Sequence, residues 1–84
     1  MTYAVSILRR AQKELTAVSP PDFERVCAAI RELARDPHPA GSGKLVLRDG
    51  WRVRVGNYRV IYSIDDTARA VLILHIGHRR DVYR

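Results

Sequence analysis

The 84-residue chain contains only one cysteine, one methionine, one tryptophan and one phenylalanine. Because Cys27 stands alone, no internal disulfide and no cysteine-based metal site can form, and a reducing, cytoplasmic setting is the simplest expectation. The three histidines, His38, His75 and His78, are too scattered to make a metal site, so neither metal nor cofactor is expected. No apolar stretch approaches the roughly 20 residues that cross a bilayer. The opening Met1-Thr2-Tyr3-Ala4-Val5 lacks a signal-peptide apolar core. The expectation is therefore a soluble, unexported protein with no membrane partner. Acidic residues are also scarce, at 9 against 15 lysines and arginines, for a net charge of +6. The deficit is local: Met1–Gly43 holds six basic and five acidic residues, whereas Lys44–Arg84 holds nine and four. A second half so unbalanced suits a polyanion such as nucleic acid. A generic solubilising surface is the plainer alternative.

What is present fits one globular domain spanning residues 1–84, with 46% hydrophobic and 29% charged residues. A core this small is marginal alone, so a partner that adds buried surface would matter. Tyr3, Val5 and Ile7 alternate with small or polar neighbours, as in a short strand with one buried face. Leu8, Ala11, Leu15 and Val18 then fall at helical spacing. Ser19-Pro20-Pro21-Asp22 breaks that helix and opens another, with Ser19 placed to cap it. Phe23, Val26, Cys27, Ile30, Leu33 and Ala34 form the second apolar stripe, which Asp36-Pro37-His38-Pro39 ends. From Gly43 the period becomes strand-like. Lys44 to Arg48 is a short strand candidate. Trp51 to Val55 and Tyr58 to Ile64 flank the Gly56-Asn57 turn, and Ala70 to Ile76 suits a central strand buried on both faces. The expected class is α+β: an N-terminal strand, an α-helical hairpin, then an antiparallel-dominated sheet with the helices on one face.

With a two-residue loop at Gly56-Asn57, Val55 opposes Tyr58, Arg54 opposes Arg59, Val53 opposes Val60 and Arg52 opposes Ile61. Side chains alternate faces, so Trp51, Val53, Val55, Tyr58, Val60 and Tyr62 share one side and Arg52, Arg54 and Arg59 the other. Tyr3, Trp51, Tyr58 and Tyr62 therefore belong to the core. Like charges directly opposite on a sheet cost up to about 1 kcal/mol. A bound anion would offset that cost, and the planar arginine fork matches phosphate oxygens. A solvated face, or one meeting an acidic protein, is the alternative.

At Trp51-Arg52-Val53-Arg54-Val55-Gly56-Asn57-Tyr58-Arg59-Val60-Ile61-Tyr62, and again at Ile76-Gly77-His78-Arg79-Arg80-Asp81-Val82-Tyr83, the chain resembles the RelE/ParE toxin superfamily, and within it the RelE-type mRNA interferases. The order of elements extends the resemblance over essentially the whole chain. It implies a toxin held inactive by a cognate antitoxin, small, acidic and DNA-binding, in a toxin–antitoxin hetero-oligomer. The RelE branch implies cleavage of messenger RNA in the ribosomal A site. Arg59 and Arg79 match arginines at the reacting phosphate, and Tyr83 matches a C-terminal tyrosine that stacks on a base or assists proton transfer. Arg52 and Arg54 match basic strand residues that hold RNA. Lys44, His78 and Arg80, from the basic segments around them, complete the candidate RNA contacts. Positions 52 and 54 are arginine where the best-known RelE sequence has lysine, and arginine does not lose its proton in proteins, so neither can be the general base.

The implied chemistry is attack of the RNA 2′-OH on the adjacent phosphorus with loss of the 5′-oxygen, for which no metal is required. Arg59 and Arg79 suit stabilisation of the developing charge. Tyr83, with an ordinary pKa near 10, needs that value lowered by neighbouring arginines to serve as base near neutrality. His75, inside the apolar run, fits a structural or sheet-edge histidine, and His38 a surface loop. Two other readings stay open: a ParE-type, non-enzymatic inhibitor of DNA gyrase on the same fold, and a non-catalytic RNA- or acidic-protein-binding module.

Overall fold

The structure, a computed structural model, describes residues 2–46 and 49–78. In chain order the described elements are β1 (Ala4–Ile7), α1 (Arg9–Thr16), α2 (Asp22–Leu33), β2 (Ser42–Lys44), β3 (Trp51–Val55), β4 (Tyr58–Asp65) and β5 (Ala70–His78). The strands form one sheet in the order β1-β5-β4-β3-β2, parallel between β1 and β5 and antiparallel elsewhere. Ala11, Val26, Ile30 and Leu33 from the helices pack on Val53, Val60, Tyr62, Val71, Ile73 and Ile76 from the sheet. This is the α+β arrangement expected from the sequence, with the core on one side of the sheet.

Local chemistry sets the helix ends. The α1 helix stops at Thr16, whose Oγ1 donates to the Lys13 carbonyl at 2.6 Å. Val18 is buried past the helix end, reached by an i→i−3 bond from its N–H to the Leu15 carbonyl at 3.1 Å. Ser19 does not cap α2 with its side chain, contrary to expectation. Pro21 holds the N-cap position, and the Ser19 backbone carbonyl accepts the Phe23 N–H at 3.0 Å. Asp22 and Glu24 in the first turn complement the helix dipole.

Two strand expectations need correction. The short strand read over Lys44 to Arg48 lies earlier, at Ser42–Lys44. Past Lys44 the Leu45 N–H donates to the Gly50 carbonyl at 3.0 Å, in continuation of the same register, and Gly50 takes a φ of +131° that favours glycine. Val46 is 94% exposed there, and Leu47 and Arg48 lie outside the described residues. The β5 strand is central and longer than expected, but it is closed on the helix side only. Val71, Ile73 and Ile76 are buried, while Leu72 and Leu74 are half-buried.

The β3–β4 hairpin has the register read from sequence: Arg52 opposite Ile61, Val53 opposite Val60, Arg54 opposite Arg59 and Val55 opposite Tyr58. Gly56 carries φ +59° and Asn57 is not among the positive-φ residues, the pattern of a type II′ turn. Tyr62 anchors the stretch before β2, since its buried hydroxyl donates to the Pro37 carbonyl at 2.8 Å.

Candidate nucleic-acid interface

Alternation along β3 and β4 turns Arg52, Arg54 and Arg59 away from the helices, onto the open face of the sheet. Arg54 is exposed, and Arg52 and Arg59 are half-buried. Arg52 does not stand upright. Gly43 opposes it on β2, and a Cβ added at Gly43 would lie 3.1–3.2 Å from three atoms of the Arg52 guanidinium. The fork therefore lies close over the Gly43 backbone, where a larger residue would push it aside by a few tenths of an ångström. Arg59 has Arg54 on one side and Gly77 on the other. The Arg59 Nε is shut off from solvent between them.

Lys44 and His78 are not brought to this face. Lys44 opposes Trp51 and His78 opposes Tyr58, both of which pack against the core on the helix side. The His78 ring meets the Tyr58 ring edge-on, with centroids 5.9 Å apart. Arg79, Arg80 and Tyr83 lie outside the described residues.

A residue that sequence reasoning assigned a structural role does reach the arginine face. In the β4–β5 register Tyr62 pairs with Ile73 and Ile61 with His75, so Leu74 is an extra residue, a β-bulge. The bulge reverses the alternation. Val71 and Ile73 face the helices before it, and Ile76 and His78 face them after it. His75 and Gly77 are thereby aimed at the open side. His75 opposes Ile61, which opposes Arg52, so one row across the face runs Arg52, Ile61, His75. Unbroken alternation would have buried His75 with Ile73.

The α1 helix covers the β5 edge beyond the end of β1 and fixes this histidine. Glu14 uses both oxygens: Oε1 accepts the Ile76 backbone N–H at 2.9 Å, and Oε2 lies 2.5 Å from His75 Nδ1. Arg10 approaches the same Nδ1 at 3.4 Å. One nitrogen cannot both donate to Glu14 and accept from Arg10, and the shorter contact, to a carboxylate, decides the tautomer. Nδ1 therefore carries a proton toward Glu14, and Nε2 is left for the open side. Leu8, Arg10, Asp49, Ile61, Leu74 and His75 line a pocket of about 260 Å³ there. Ile61, 1% exposed, lies on this face and not in the helix-side core. The histidine, carboxylate and arginine were visible in the sequence, but their meeting depends on one bulge with no local signature.

Comparison with known proteins adds the context. The model of the ParE toxin family, type II toxin-antitoxin system, parDE, matches residues 4–83. The toxin RelG of Mycobacterium tuberculosis is 34% identical over 90 residues, which cover 100% of this chain and 99% of RelG. The fold is similar to that in the archaeal RelE–RelB complex from Pyrococcus horikoshii, with TM-score 0.84 and 30% identity over 98% of this chain and 100% of that one. It is also similar to that in the toxin–antitoxin complex RelBE2 from Mycobacterium tuberculosis, with TM-score 0.80 and 29% identity over 94% of this chain and 100% of that one.

Proposed function

The chain belongs to the ParE toxin family of type II toxin-antitoxin systems, and from that premise we propose that it is a RelE-type, ribosome-dependent endoribonuclease that cleaves messenger RNA in the A site. The observation that carries this reading is the Arg54–Arg59 pair, face to face on the open side of the sheet with Arg52 beside it. Arg52, Arg54 and Arg59 gather positive charge on one face of the hairpin, and RNA phosphate fits the fork geometry of a guanidinium. Similarity to RelG, and to RelE proteins at 29–30% identity, supports the RelE branch.

In the proposed reaction the 2′-oxygen attacks phosphorus, the bond to the 5′-oxygen breaks, and a cyclic phosphate remains. Arg59, and Arg79 from the segment after β5, hold the developing charge on phosphate. Arg52, Arg54 and Arg80 bind flanking backbone, and Tyr83 stacks on a base or assists proton transfer. Lys44 and His78, on the helix side, would reach RNA only around the sheet edge. No step needs a metal. The natural inhibitor in this reading is a small acidic, DNA-binding antitoxin in a hetero-oligomer; the similar proteins are themselves found in a toxin–antitoxin complex and a RelE–RelB complex. Among the described residues no helix is long and apolar enough to cross a membrane, and the proposed site of action is the cytoplasm.

The family model's ParE description favours a second reading, inhibition of DNA gyrase without catalysis. Primer-extension mapping of messenger RNA after brief induction, beside a gyrase supercoiling assay, separates the two. Codon-positioned cuts that vanish in Arg59→Ala support the nuclease. Uncut messages with blocked supercoiling support the ParE reading.

A further inference from the structure

The cleavage proposed above needs a group to take the 2′-OH proton, and none of the three arginines on the open face can do so. We propose that His75 is that general base, held in position by Glu14; the inference rests on the nuclease reading. Three observations converge on it. The bulge at Leu74 turns His75 from the helix side to the arginine face, a re-aiming that bulges beside active sites commonly perform. Glu14, tied down by the Ile76 N–H, holds Nδ1 and leaves Nε2 as the ring's acceptor, on an imidazole that lines the pocket. Arg59 opposes Gly77 and Ile61 opposes His75, so Arg59 and His75 are diagonal neighbours on one face. Such neighbours stand about 7–8 Å apart at the backbone. A phosphate on Arg59 therefore brings its attached ribose toward the imidazole, with the pocket floored by Ile61 and Leu74 alongside.

The step balances. His75 Nε2 accepts the 2′-OH proton as the 2′-oxygen bonds to phosphorus. The phosphorus–5′-oxygen bond breaks, the departing oxygen takes a proton from water, and His75 returns its own to solvent. Among the described residues the charged or titratable groups facing His75 are Glu14 and Arg10 from α1 and Asp49 from the β2–β3 loop, with Arg52 beyond Ile61 on β3. Glu14 is a positioning residue, since it acts through the imidazole.

The test is single-turnover cleavage on ribosomes programmed with a defined messenger RNA, read across pH 5 to 9. Wild type should lose rate on the acid side along one titration that coincides with the His75 imidazole titration followed by NMR on the intact protein. His75→Gln should lower the rate on the order of 10²-fold or more and abolish that acid limb. Glu14→Gln, which keeps a carbonyl for the Ile76 N–H, should slow cleavage less, and its effect should vanish in the His75→Gln background. Wild-type rate and pH profile in His75→Gln overturn the proposal. So does an acid limb in wild type that fails to track the His75 titration, a measurement needing no variant, or an acid limb lost instead in Tyr83→Phe. If wild-type protein cuts nothing, the nuclease reading fails first. If it cuts, and Arg59→Ala does not while His75→Gln does, only the histidine assignment falls.

Discussion

Single side chains divide into those that meet phosphate and those that hold the sheet in place. In the proposed reading Arg59, between Arg54 and Gly77, holds the reacting phosphate, while Arg52, beside Gly43, holds a neighbouring one. Arg59→Ala should lower the single-turnover rate at saturating ribosome by roughly 10²-fold or more, the scale of a lost oxyanion donor. Arg52→Ala should weaken binding and flatten its salt dependence while leaving the saturated rate near wild type. Equal rates in both variants and wild type, with folding intact, would remove this face from the chemistry. Tyr62 belongs to the other class. Burial raises its pKa above the ordinary tyrosine value, so as pH climbs past about 10 the unfolded chain gives up its proton first. Stability that is full near neutrality is therefore lost as pH rises through the folded-state value. Tyr62→Phe should lose about 1–3 kcal/mol at pH 7, because the buried Pro37 carbonyl is left without its donor. It should also show a shallower alkaline loss in denaturant melts. Some slope should persist from Tyr3, whose hydrogen bond to Asp66 raises its pKa in the same direction.

The hairpin is the element that most nearly follows from its own residues. Strict alternation from Trp51 to Val55 and a Gly-Asn turn determine the pairing, and every partner on the two strands stands where alternation puts it. The turn supplies a direct check. Gly56 has φ +59°, and an added Cβ would also lie 3.3 Å from Asp22 Oδ1 at the start of α2. Gly56→Ala should therefore cost about 1–2 kcal/mol by thermal or denaturant unfolding. A neutral or stabilising result would mean the loop takes another turn type in solution. The same alternation fails in β5. Ala70 to Ile76 is apolar but for His75, so no alternation of polar and apolar residues marks which face each position takes, and the extra residue at Leu74 is set by how β5 pairs with β4. Hence Arg52, Arg54 and Arg59 could be placed from sequence, whereas His75 could not. His78 was grouped with the arginines because it lies in the basic segment, and membership of a segment does not say which face a side chain takes. The β2 boundary was missed because strand propensity over Lys44 to Arg48 does not register where pairing with β3 begins, at Ser42 opposite Val53.

Across the whole molecule, the helix-side core is thin and the open face is charged, and a partner would act on both properties. The core rests on few large side chains, chiefly Tyr62, Leu33, Ile73, Ile76 and Val26, so little margin separates folded from unfolded chain. The net charge of +6 resides mostly in the half that builds the arginine face, and the attraction that draws RNA there would draw an acidic antitoxin as well. Antitoxin binding should therefore do two things together: block cleavage and raise stability. At free antitoxin one hundred times its dissociation constant the stabilisation should be about 2.7 kcal/mol, visible as a melting temperature that rises with antitoxin concentration. Association should slow as salt increases, because long-range attraction is screened. In cells, induction of the chain alone should arrest growth reversibly, and co-expression of its cognate antitoxin should restore growth. Harmless expression in several bacterial hosts without that protein would contradict the toxin reading. Rescue of growth by a partner that leaves the melting temperature unchanged would instead separate inhibition from docking on the folded toxin, and would point to action on the ribosome or on the message.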